Sequence, residues 1–419
     1  MNWVARFARH SAASTELYGL NRRAEQLLEF RPRLRKTRYT YEVSVLVDTL
    51  QSLTQVDWYK FLARPRLPGP TASALDSIAD RSIFITGAGG SIGSQLSLRI
   101  ARLRPRKLTL LDISEQALYR LRASFESEMP GNRVSFLLGS VADSQLLDEA
   151  FSFTAPDLII HAAAHKHLTL VEEHVLAAIA NNTLATNTLL QLAAKHKIAR
   201  TILLSTDKAV SPTSVMGATK HAAELDTLCH GGIVVRLANV LASEGSVAPI
   251  FMRQIAAGQP ITITDSETRR YFLTGEEAVD VLLTASTEAP HSATVVPAIS
   301  KSQSILDLAH FLAGHSTIHR PLNIRYIGLG VGEKQHEALW SLDEEAFSES
   351  FHGSLRVITN QRPIHRASEM RAKLELLRIA VNSRKLPQAV AYLQSIVPDY
   401  TPSDTVRRQV LEYSGADLR

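Results

Sequence analysis

The stretch SIFITGAGGSIGSQL, residues 82–96, decides the fold. Its first five residues are typical of a buried strand, and the residues after the third spaced glycine have the pattern of a helix. Between them lies a GxxGxxG turn, which lets the backbone approach a pyrophosphate. The free N–H groups and dipole of the helix N-terminus then stabilise the anion. The pattern predicts a dinucleotide site, and we assign to it Gly87, Gly90, Ser91, Ile92 and Gly93.

Similar apolar strands recur along the chain and alternate with longer helical segments. Such continuous apolar strands are typical of a parallel sheet covered by helices on both faces. The six predicted strands are residues 82–86, 107–112, 133–138, 157–163, 200–206 and 232–238. The sequence therefore predicts an α/β fold of the Rossmann type, with a doubly wound parallel sheet.

Four segments are predicted along the chain. Residues 1–75 form a basic, helical N-terminal extension that ends in the breaker-rich linker RPRLPGPTAS. Residues 76–240 form the NAD(P)-binding domain. The strand and helix rhythm is less regular in residues 241–364, which we interpret as a smaller α/β substrate-binding region, partly interleaved with the first. Residues 365–419 form a helical C-terminal tail.

Composition limits the class of protein. The only cysteine is Cys229, so an intramolecular disulfide is impossible, and we expect no metal site. No apolar run is long enough to cross a membrane, and Arg6 and Arg9 interrupt the apolar region that a signal peptide needs. We therefore expect a cytoplasmic protein.

Positive charge is concentrated at the N-terminus. Residues 1–40 contain nine Lys or Arg and three Glu, although the whole chain has a net charge of only +5. The segment RPRLRKTR, residues 31–38, fits a solvated helical arm or a peripheral contact with an anionic membrane surface. Because the basic excess is confined to one end, nucleic-acid binding is not expected as the main role.

Two acidic residues follow later strands of the predicted sheet. Asp112 ends the second strand, where a carboxylate can accept hydrogen bonds from the adenosine ribose. This favours NAD over NADP, because an uncompensated carboxylate would repel a 2′-phosphate. Asp143 follows the third strand and either lies near the adenine or serves only as a helix N-cap.

Reactive side chains follow the fifth predicted strand. Thr206, Asp207 and Lys208 lie where ligands bind in open α/β sheets, although a surface ion pair is an alternative. Met216 and Lys220 share one face of the next helix. The Lys220 ammonium can stabilise an alkoxide, whereas the thioether of Met216 cannot transfer a proton.

Together these motifs resemble the CapD-like polysaccharide biosynthesis family of UDP-N-acetylglucosamine 4,6-dehydratases, which are extended short-chain dehydrogenases/reductases. The resemblance covers about residues 62–361. Its motifs are GAGGSIGSQL (87–96), HAAAHKHLTLVEEH (161–174), NNTLATN (181–187), STDKAVSPTSVMGATK (205–220), VRLANVLASEGSVAPIF (235–251), ITITDSETRRYFLT (261–274) and GEKQHEAL (332–339). Met216 stands where most extended members have Tyr, and it marks the MGATK branch.

The resemblance implies a lyase that uses NAD(P) and converts a UDP-sugar, such as UDP-N-acetylglucosamine, into a 4-keto-6-deoxy sugar for polysaccharide biosynthesis. It implies that Lys208 is the base at C5 and Asp207 the acid at the C6 hydroxyl. These roles require a partly neutral Lys208 and a protonated Asp207. Because Met216 cannot act, Thr206, Lys220 or a water would relay the C4 hydroxyl proton. A homo-oligomer is also implied.

Binding residues follow from the same resemblance. Those expected at the cofactor, in addition to the glycine turn, are Asp112, Asp143, Ala162, Ala163, Asn182 and Lys220. Those expected at the nucleotide-sugar are Lys166, His167, Asn239, Arg270 and Glu333, although His167 also fits a structural role. The chain departs from the family at three places. Ser140 stands where the family has Asp, and LASEGS (241–246) replaces a more glycine-rich loop. Gly330 and Val331 replace an Arg-Pro pair. These departures leave the exact sugar open.

Two other functions fit parts of the sequence. A nucleotide-sugar 4-epimerase shares the fold and the oxidation at C4, but it needs no base at C5, so the Asp207 and Lys208 pair argues against it. A non-catalytic NAD(P)-binding regulator or scaffold would explain Met216 and the basic arm. The intact Thr206 and Lys220 argue against that alternative. The sequence does not decide whether C5 is inverted.

Overall fold

The computed structural model describes residues 53, 56–129, 134–316, 321–351, 353–360 and 367–416. The basic segment at residues 31–38 lies outside these described residues, and so do residues 1–52 as a whole. None of the helices in the described part is long and apolar enough to cross a membrane.

Strands and helices alternate through most of the chain. The strands are β1 (Ser82–Thr86), β2 (Lys107–Asp112), β3 (Val134–Leu138), β4 (Leu158–His161), β5 (Arg200–Thr206), β6 (Ile233–Leu237), β7 (Asn239–Val240), β8 (Ile261–Ile263), β9 (Arg269–Arg270), β10 (Phe272–Leu273), β11 (Thr294–Pro297), β12 (Gln303–Ser304), β13 (Ile324–Tyr326), β14 (Glu344–Phe351) and β15 (Leu355–Asn360).

The helices cover both faces of the largest sheet that these strands form. The α-helices are α1 (Trp58–Leu62), α2 (Ala72–Ala79), α3 (Ser91–Arg102), α4 (Glu115–Glu128), α5 (Ser144–Thr154), α6 (Leu168–Glu173), α7 (Val175–Ala178), α8 (Ala185–Lys195), α9 (Val215–Cys229), α10 (Val247–Ala256), α11 (Gly275–Glu288), α12 (Ile305–His315), α13 (Ala367–Asn382), α14 (Leu386–Ile396) and α15 (Asp404–Ala416). A π-helical turn covers Ile179–Leu184, and a 3₁₀ turn covers Asp207–Ala209.

The predicted Rossmann-type sheet is confirmed. Its strands follow the order β3-β2-β1-β4-β5-β6-β11, and all these neighbours pair in parallel. Helices cover both faces, so β1 must be apolar on both, and Ile83, Phe84 and Ile85 are at most 1% exposed. The strands predicted at residues 82–86, 107–112 and 200–206 have those bounds in the structure.

Strands from the later part of the chain extend this sheet. β11 pairs with β6, β15 pairs antiparallel with β11, and β14 pairs antiparallel with β15. Three two-stranded sheets, β7 with β10, β9 with β12 and β8 with β13, lie beside the main sheet. They carry Asn239 and Arg270. The segment at residues 241–364 therefore contributes strands to the central sheet, and the boundaries of the predicted segments stay a prediction.

The C-terminal helices α13, α14 and α15 pack on the helix that follows β5. Their apolar side chains, including Met370 and Leu393, share one buried cluster with Val215 and Met216 of α9. A polar contact joins the same elements. Glu172 accepts hydrogen bonds from the backbone N–H of Val215 (2.6 Å) and from the Ser403 hydroxyl (2.6 Å), so the C-terminal segment supports the start of α9.

A buried ion triad joins α9, β6 and β14. Arg236 on β6 donates hydrogen bonds to Glu224 on α9 (2.8 Å) and to Glu344 on β14 (2.7 Å). The side chains of Arg236 and Glu224 are 2% and 1% exposed, and that of Glu344 is 7% exposed. Buried charges of this kind are tolerated only when each has its partners, because desolvation costs several kcal/mol per ion.

Replacing Arg236 by Met should therefore leave two buried carboxylates without a cation. We expect Arg236→Met to lower the free energy of unfolding by roughly 3–5 kcal/mol. The matched control is Arg122→Met, which removes the exposed Arg122–Glu126 pair and should cost less than about 1 kcal/mol. Urea unfolding of both variants measures the difference. Equal losses in the two variants would contradict the assigned role of the triad.

Candidate functional site

The glycine turn between β1 and α3 is a close backbone approach. Gly87 has a φ of 65°, and a Cβ on it would lie 2.6 Å from the backbone nitrogen of Ala163. A Cβ on Gly93 would clash with the carbonyl oxygen of Gly87. The N-cap of α3 is Gly90, which has no side chain to cap the helix. The first N–H groups of α3 therefore suit a pyrophosphate, and the turn fits a dinucleotide cofactor.

Two adjoining cavities lie at the carboxyl ends of the parallel strands. The main cavity has a volume of about 710 Å³, and the second cavity has a volume of about 220 Å³. Predicted residues that line the main cavity are Gly87, Gly90, Ser91, Ile92, Gly93, Ala162, Lys166, His167, Thr206, Lys208, Met216, Lys220 and Asn239. Arg270 and Glu333 line the second cavity, and Lys208 and Asn239 line both. The structure thus brings the predicted substrate residues, and those of the predicted cofactor residues that line the main cavity, to one continuous site.

Four predicted cofactor residues do not line either cavity. Asp112 accepts hydrogen bonds from the backbone N–H groups of Gly89 and Ser114, both at 2.8 Å, so the protein already uses both carboxylate oxygens. Asp143 caps α5 and accepts from the N–H of Leu146 (3.0 Å), as the N-cap alternative predicts. The other two residues are Ala163, against Gly87, and Asn182, which is 1% exposed.

Asn182 holds the strand-to-helix segment that carries Lys166 and His167. Its side chain accepts from the N–H of His165 (2.8 Å) and donates to the carbonyl of the same residue (3.0 Å). It also donates to the Thr219 hydroxyl on α9 (3.1 Å). This residue orients the cavity wall, and its contacts explain why an amide is suited to the position.

A loop that the sequence analysis noted only as a departure forms part of the main cavity. Its residues Ser243, Glu244, Gly245 and Ser246 follow β7. Lys166 donates to the carbonyl of Glu244 (2.9 Å), and the N–H of Glu244 donates to the Ser91 hydroxyl (3.3 Å). The loop therefore joins the substrate-side lysine to the start of α3. The one sequence signal for this role is the glycine in the LASEGS stretch. It is Gly245, and its backbone lies close to the ring of His167.

Lys208 is only 21% exposed and is paired with a buried Asp207, so the surface ion-pair alternative is wrong. Asp207 is fully buried and accepts hydrogen bonds from the Thr206 hydroxyl (2.9 Å), Lys208 Nζ (3.0 Å) and Asn239 Nδ2 (3.1 Å). Lys208 Nζ also donates to Asn239 Oδ1 (3.2 Å). Every partner of Asp207 is a donor. Its oxygens serve as acceptors in this arrangement, which does not match the proton donor that the resemblance requires.

The charge on Lys208 also differs from the expectation. Burial lowers the pKa of this ammonium, but the negative charges of Asp207 and Glu337 raise it by a larger amount. The pKa of Lys208 is therefore above the usual value for lysine. The prediction of a partly neutral Lys208 is therefore wrong for this state of the protein. It failed because the attraction of Asp207, and then of Glu337, outweighs the burial that the sequence analysis expected to dominate.

Lys220 has the opposite electrostatic environment. Burial lowers its pKa to about 8, although Glu224 opposes the shift, and its ammonium donates to the carbonyl of Leu204 (2.6 Å). Met216, one turn earlier on α9, is 5% exposed and lines the main cavity. Lys220 can therefore exchange a proton near neutral pH, which the neighbouring thioether cannot do.

The guanidinium of Arg270 is held by the protein. It bonds to the carbonyls of Arg269 (2.8 Å), Lys334 (2.7 Å) and Gln335 (2.9 Å), and to a carboxylate oxygen of Glu333 (3.2 Å). Arg270 is 6% exposed, and it lines the second cavity. Its contacts fix the loop that replaces the Arg-Pro of the family at Gly330.

Glu337 is a site residue that the sequence analysis missed. Its side chain is 2% exposed, with Oε1 3.9 Å from Lys208 Nζ and Oε2 3.7 Å from Lys334 Nζ. Burial raises its pKa, and the neighbouring Asp207 raises it further, whereas the nearby cations lower it by less. The GEKQHEAL motif contains this glutamate, but no spacing in the motif marks it as a neighbour of Lys208.

Comparison with known proteins identifies the family. A family described as "Polysaccharide biosynthesis protein" matches residues 83–359. The chain is 34% identical over 305 residues to the capsular polysaccharide biosynthesis protein CapD of Staphylococcus aureus, covering 70% of this chain and 51% of that protein. It is 30% identical over 301 residues to a UDP-glucose 4-epimerase of Rickettsia bellii, covering 69% and 86% respectively. The chain spans about half the length of CapD.

Solved structures show the same fold. The crystal structure of Pen from Bacillus thuringiensis aligns with a TM-score of 0.63 and 25% identity, over 71% of this chain and 98% of that one. The dTDP-glucose 4,6-dehydratase DesIV from Streptomyces venezuelae, with NAD bound, aligns with a TM-score of 0.53 and 18% identity, over 62% and 88%. The second likeness concerns the fold alone. On the family match and the identity to CapD, the chain belongs to the CapD-like polysaccharide biosynthesis protein family.

Proposed function

We propose that the chain is a nucleotide-sugar 4,6-dehydratase that acts on UDP-N-acetylglucosamine or a related UDP-sugar and supplies a 4-keto-6-deoxy sugar to polysaccharide biosynthesis. The observation that carries this proposal is Lys208, which lines both cavities and is hydrogen-bonded to the buried Asp207. The main cavity adjoins the glycine turn and suits the cofactor. The second cavity, with Arg270 at its wall, suits the nucleotide diphosphate, because guanidinium groups bind phosphates well.

A nicotinamide dinucleotide bound at the glycine turn would accept the C4 hydrogen of the sugar and return it at C6. We propose NAD rather than NADP, because Asp112 ends β2 beside the expected ribose position. Lys220 and Thr206 face the same cavity. Because the pKa of Lys220 is about 8, we assign to it the proton of the C4 hydroxyl, taken directly or through Thr206 or a water.

Oxidation at C4 acidifies the proton on C5, and water is then lost across C5 and C6. We assign the C5 proton to Lys208 and the proton that leaves with the C6 hydroxyl to Asp207. These roles require Lys208 to lose a proton and Asp207 to gain one when the sugar binds. Binding supports both changes, because exclusion of water disfavours the charged form of each group. The proton that Asp207 gains comes from solvent.

A 4-epimerase is the second candidate, and one specific observation favours it. The relative from Rickettsia bellii is named a UDP-glucose 4-epimerase, and this chain covers 86% of it. An epimerase needs the cofactor cavity and Lys220, but it leaves C5 and C6 unchanged. A buried Lys208 bonded to a carboxylate would then have no chemical step, so the geometry favours the dehydratase.

Two further expectations accompany the proposed function. We propose a homo-oligomeric enzyme in the cytoplasm, where a single cysteine stays reduced and UDP-sugars are the substrate. A peripheral membrane contact through residues 31–38 is also proposed, on their charge alone.

Incubation with UDP-N-acetylglucosamine and NAD(P)⁺ in heavy water tests the function. We expect the sugar to lose one water and to gain one deuterium at C5, because the proton removed by Lys208 exchanges with solvent. Lys208→Met should abolish this loss of water and keep cofactor binding. The control is Lys60→Met, at a side chain that is 73% exposed, and it should react as the wild type does. Mass spectrometry and proton NMR follow the sugar.

The other outcomes identify the alternatives. Conversion to the C4 epimer without loss of water or entry of deuterium would make the chain an epimerase. Unchanged substrate in the presence of a tightly bound cofactor would favour another nucleotide-sugar or a non-catalytic regulator. An active Lys208→Met variant would contradict the role of the lysine even if the reaction were confirmed.

The buried charge of Lys220 should make stability depend on pH. Its pKa in the folded protein is about 8, against 10.5 for a free side chain, so protonation costs stability below about pH 8. As pH rises from about 8 to 10.5, this cost disappears, because only the unfolded chain still binds the proton. Relative to Lys220→Met, the wild type should gain about 3 kcal/mol across that window, at ~1.4 kcal/mol per pKa unit. Urea unfolding at several pH values measures the gain, and a constant difference would contradict the shift.

A further inference from the structure

Glu337 lies 3.9 Å from Lys208 Nζ, outside the hydrogen bonds that Lys208 makes with Asp207 and Asn239. It belongs to the loop that follows Glu333 and is buried, with its side chain 2% exposed. The charged groups that face it are Lys208 and Asp207 after β5, Arg270 on β9, and Lys334 on its own loop. Its carboxylate therefore lies among two lysines, one arginine and one aspartate.

The hydrogen bonding of Glu337 is incomplete. Oε1 lies 3.9 Å from Lys208 Nζ, and Oε2 lies 3.7 Å from Lys334 Nζ, so neither contact is a hydrogen bond. Oε2 is buried and has no hydrogen-bond partner among the described residues. Lys334 instead donates to the carbonyl of Val210 (2.6 Å). A buried carboxylate with few donors is poorly stabilised in its charged form and readily takes up a proton.

Lys208 needs such a proton acceptor. Its ammonium must become an amine before it can remove a proton from C5, and three groups face its Nζ closely. Asn239 is an amide and cannot take the proton. Asp207 already accepts three hydrogen bonds, which stabilise its charged form. Glu337 is the remaining group within reach of Lys208 Nζ in the part of the chain that the structure describes.

We propose that Glu337 is the positioning residue that takes the proton of Lys208 when the sugar binds, and so converts the ammonium into the C5 base. The inference rests on the proposed dehydratase function. In the step, one N–H bond of Lys208 breaks and an O–H bond forms on Glu337. Lys208 then takes the C5 proton. When C5 is protonated again and product leaves, Glu337 returns its proton, so the pair holds one shared proton before and after turnover.

Binding of the sugar provides the reason for this transfer. In the free protein the Lys208 ammonium is stabilised by two carboxylates and by water in the cavities. The sugar displaces that water, and a pair of neutral groups is then favoured over a pair of charges in a site of low dielectric constant. The same event that delivers the C5 proton therefore prepares its base.

Glu337→Gln tests the transfer through the pH dependence of kcat. In the wild type, the shared proton keeps part of Lys208 neutral on the acidic side, so kcat should fall there only as Lys220 becomes protonated. In the variant, Lys208 must also lose its proton to solvent, so the ratio of variant to wild-type kcat should fall by about tenfold per pH unit. At alkaline pH the variant should match or exceed the wild type, because loss of a carboxylate lowers the pKa of Lys208. The two profiles should cross.

Glu337→Asp is the matched conservative variant and should keep the acidic limb of the wild type, because it retains a carboxylate. A Glu337→Gln profile with the wild-type shape and a uniform loss of rate would show a merely structural role and overturn the proposal. A substrate deuterated at C5 establishes that removal of this proton limits the measured rate in each variant.

A second measurement does not depend on turnover. Acetic anhydride labels only neutral lysines, and mass spectrometry compares Lys208 with the exposed Lys60 across pH in protein loaded with NAD and UDP. On the acidic side the wild-type Lys208 should stay partly labelled, because Glu337 holds its proton, whereas labelling of Lys208 in Glu337→Gln should fall about tenfold per pH unit. An unchanged labelling profile would overturn the inference while leaving a confirmed dehydration intact. A shifted profile without loss of water would support the coupling and reject the proposed function.

Discussion

Parallel pairing of β1, β4, β5 and β6 is the constraint on which the site depends. Because these strands run in one direction, their carboxyl ends meet at one edge, and each end delivers a part of the site there. The glycine turn follows β1, the Lys166 segment follows β4, and Asp207 and Lys208 follow β5. The short pairing of β7 with β10 adds Asn239 from the chain after β6. Residues far apart in sequence thus meet without any loop having to cross the sheet.

Burial of charge at this edge creates the chemistry. Asp207, Lys208 and Glu337 are close together and largely withdrawn from water. The two carboxylates raise the pKa of Lys208, and burial raises that of Glu337. Lys220 lies on a different element, where Glu224 offsets the effect of burial only in part, so burial dominates and lowers its pKa. Two lysines at one cavity therefore differ in their readiness to release a proton, as a reaction with two proton transfers requires.

The sequence was informative wherever function depends on local backbone geometry. The bounds of β1 and β5, the GxxGxxG turn and the adjacency of Asp207 to Lys208 could be predicted because each is a property of consecutive residues. Glu337 could not be predicted as a neighbour of Lys208, since a loop more than a hundred residues later brings it there. Nor could the charge of Lys208, which depends on that contact. Asp112 shows the reverse case, because its position was predicted but its bonds to the backbone were not.

A substrate labelled with deuterium at C4 tests the central claim most directly. The account predicts that UDP-N-acetylglucosamine deuterated at C4 gives a 4-keto-6-deoxy product that carries the label at C6, because the bound cofactor accepts it and returns it within one site. Proton and deuterium NMR of the product locate the label. Recovery of the deuterium at C4, in the starting sugar or its epimer, would contradict the dehydratase account.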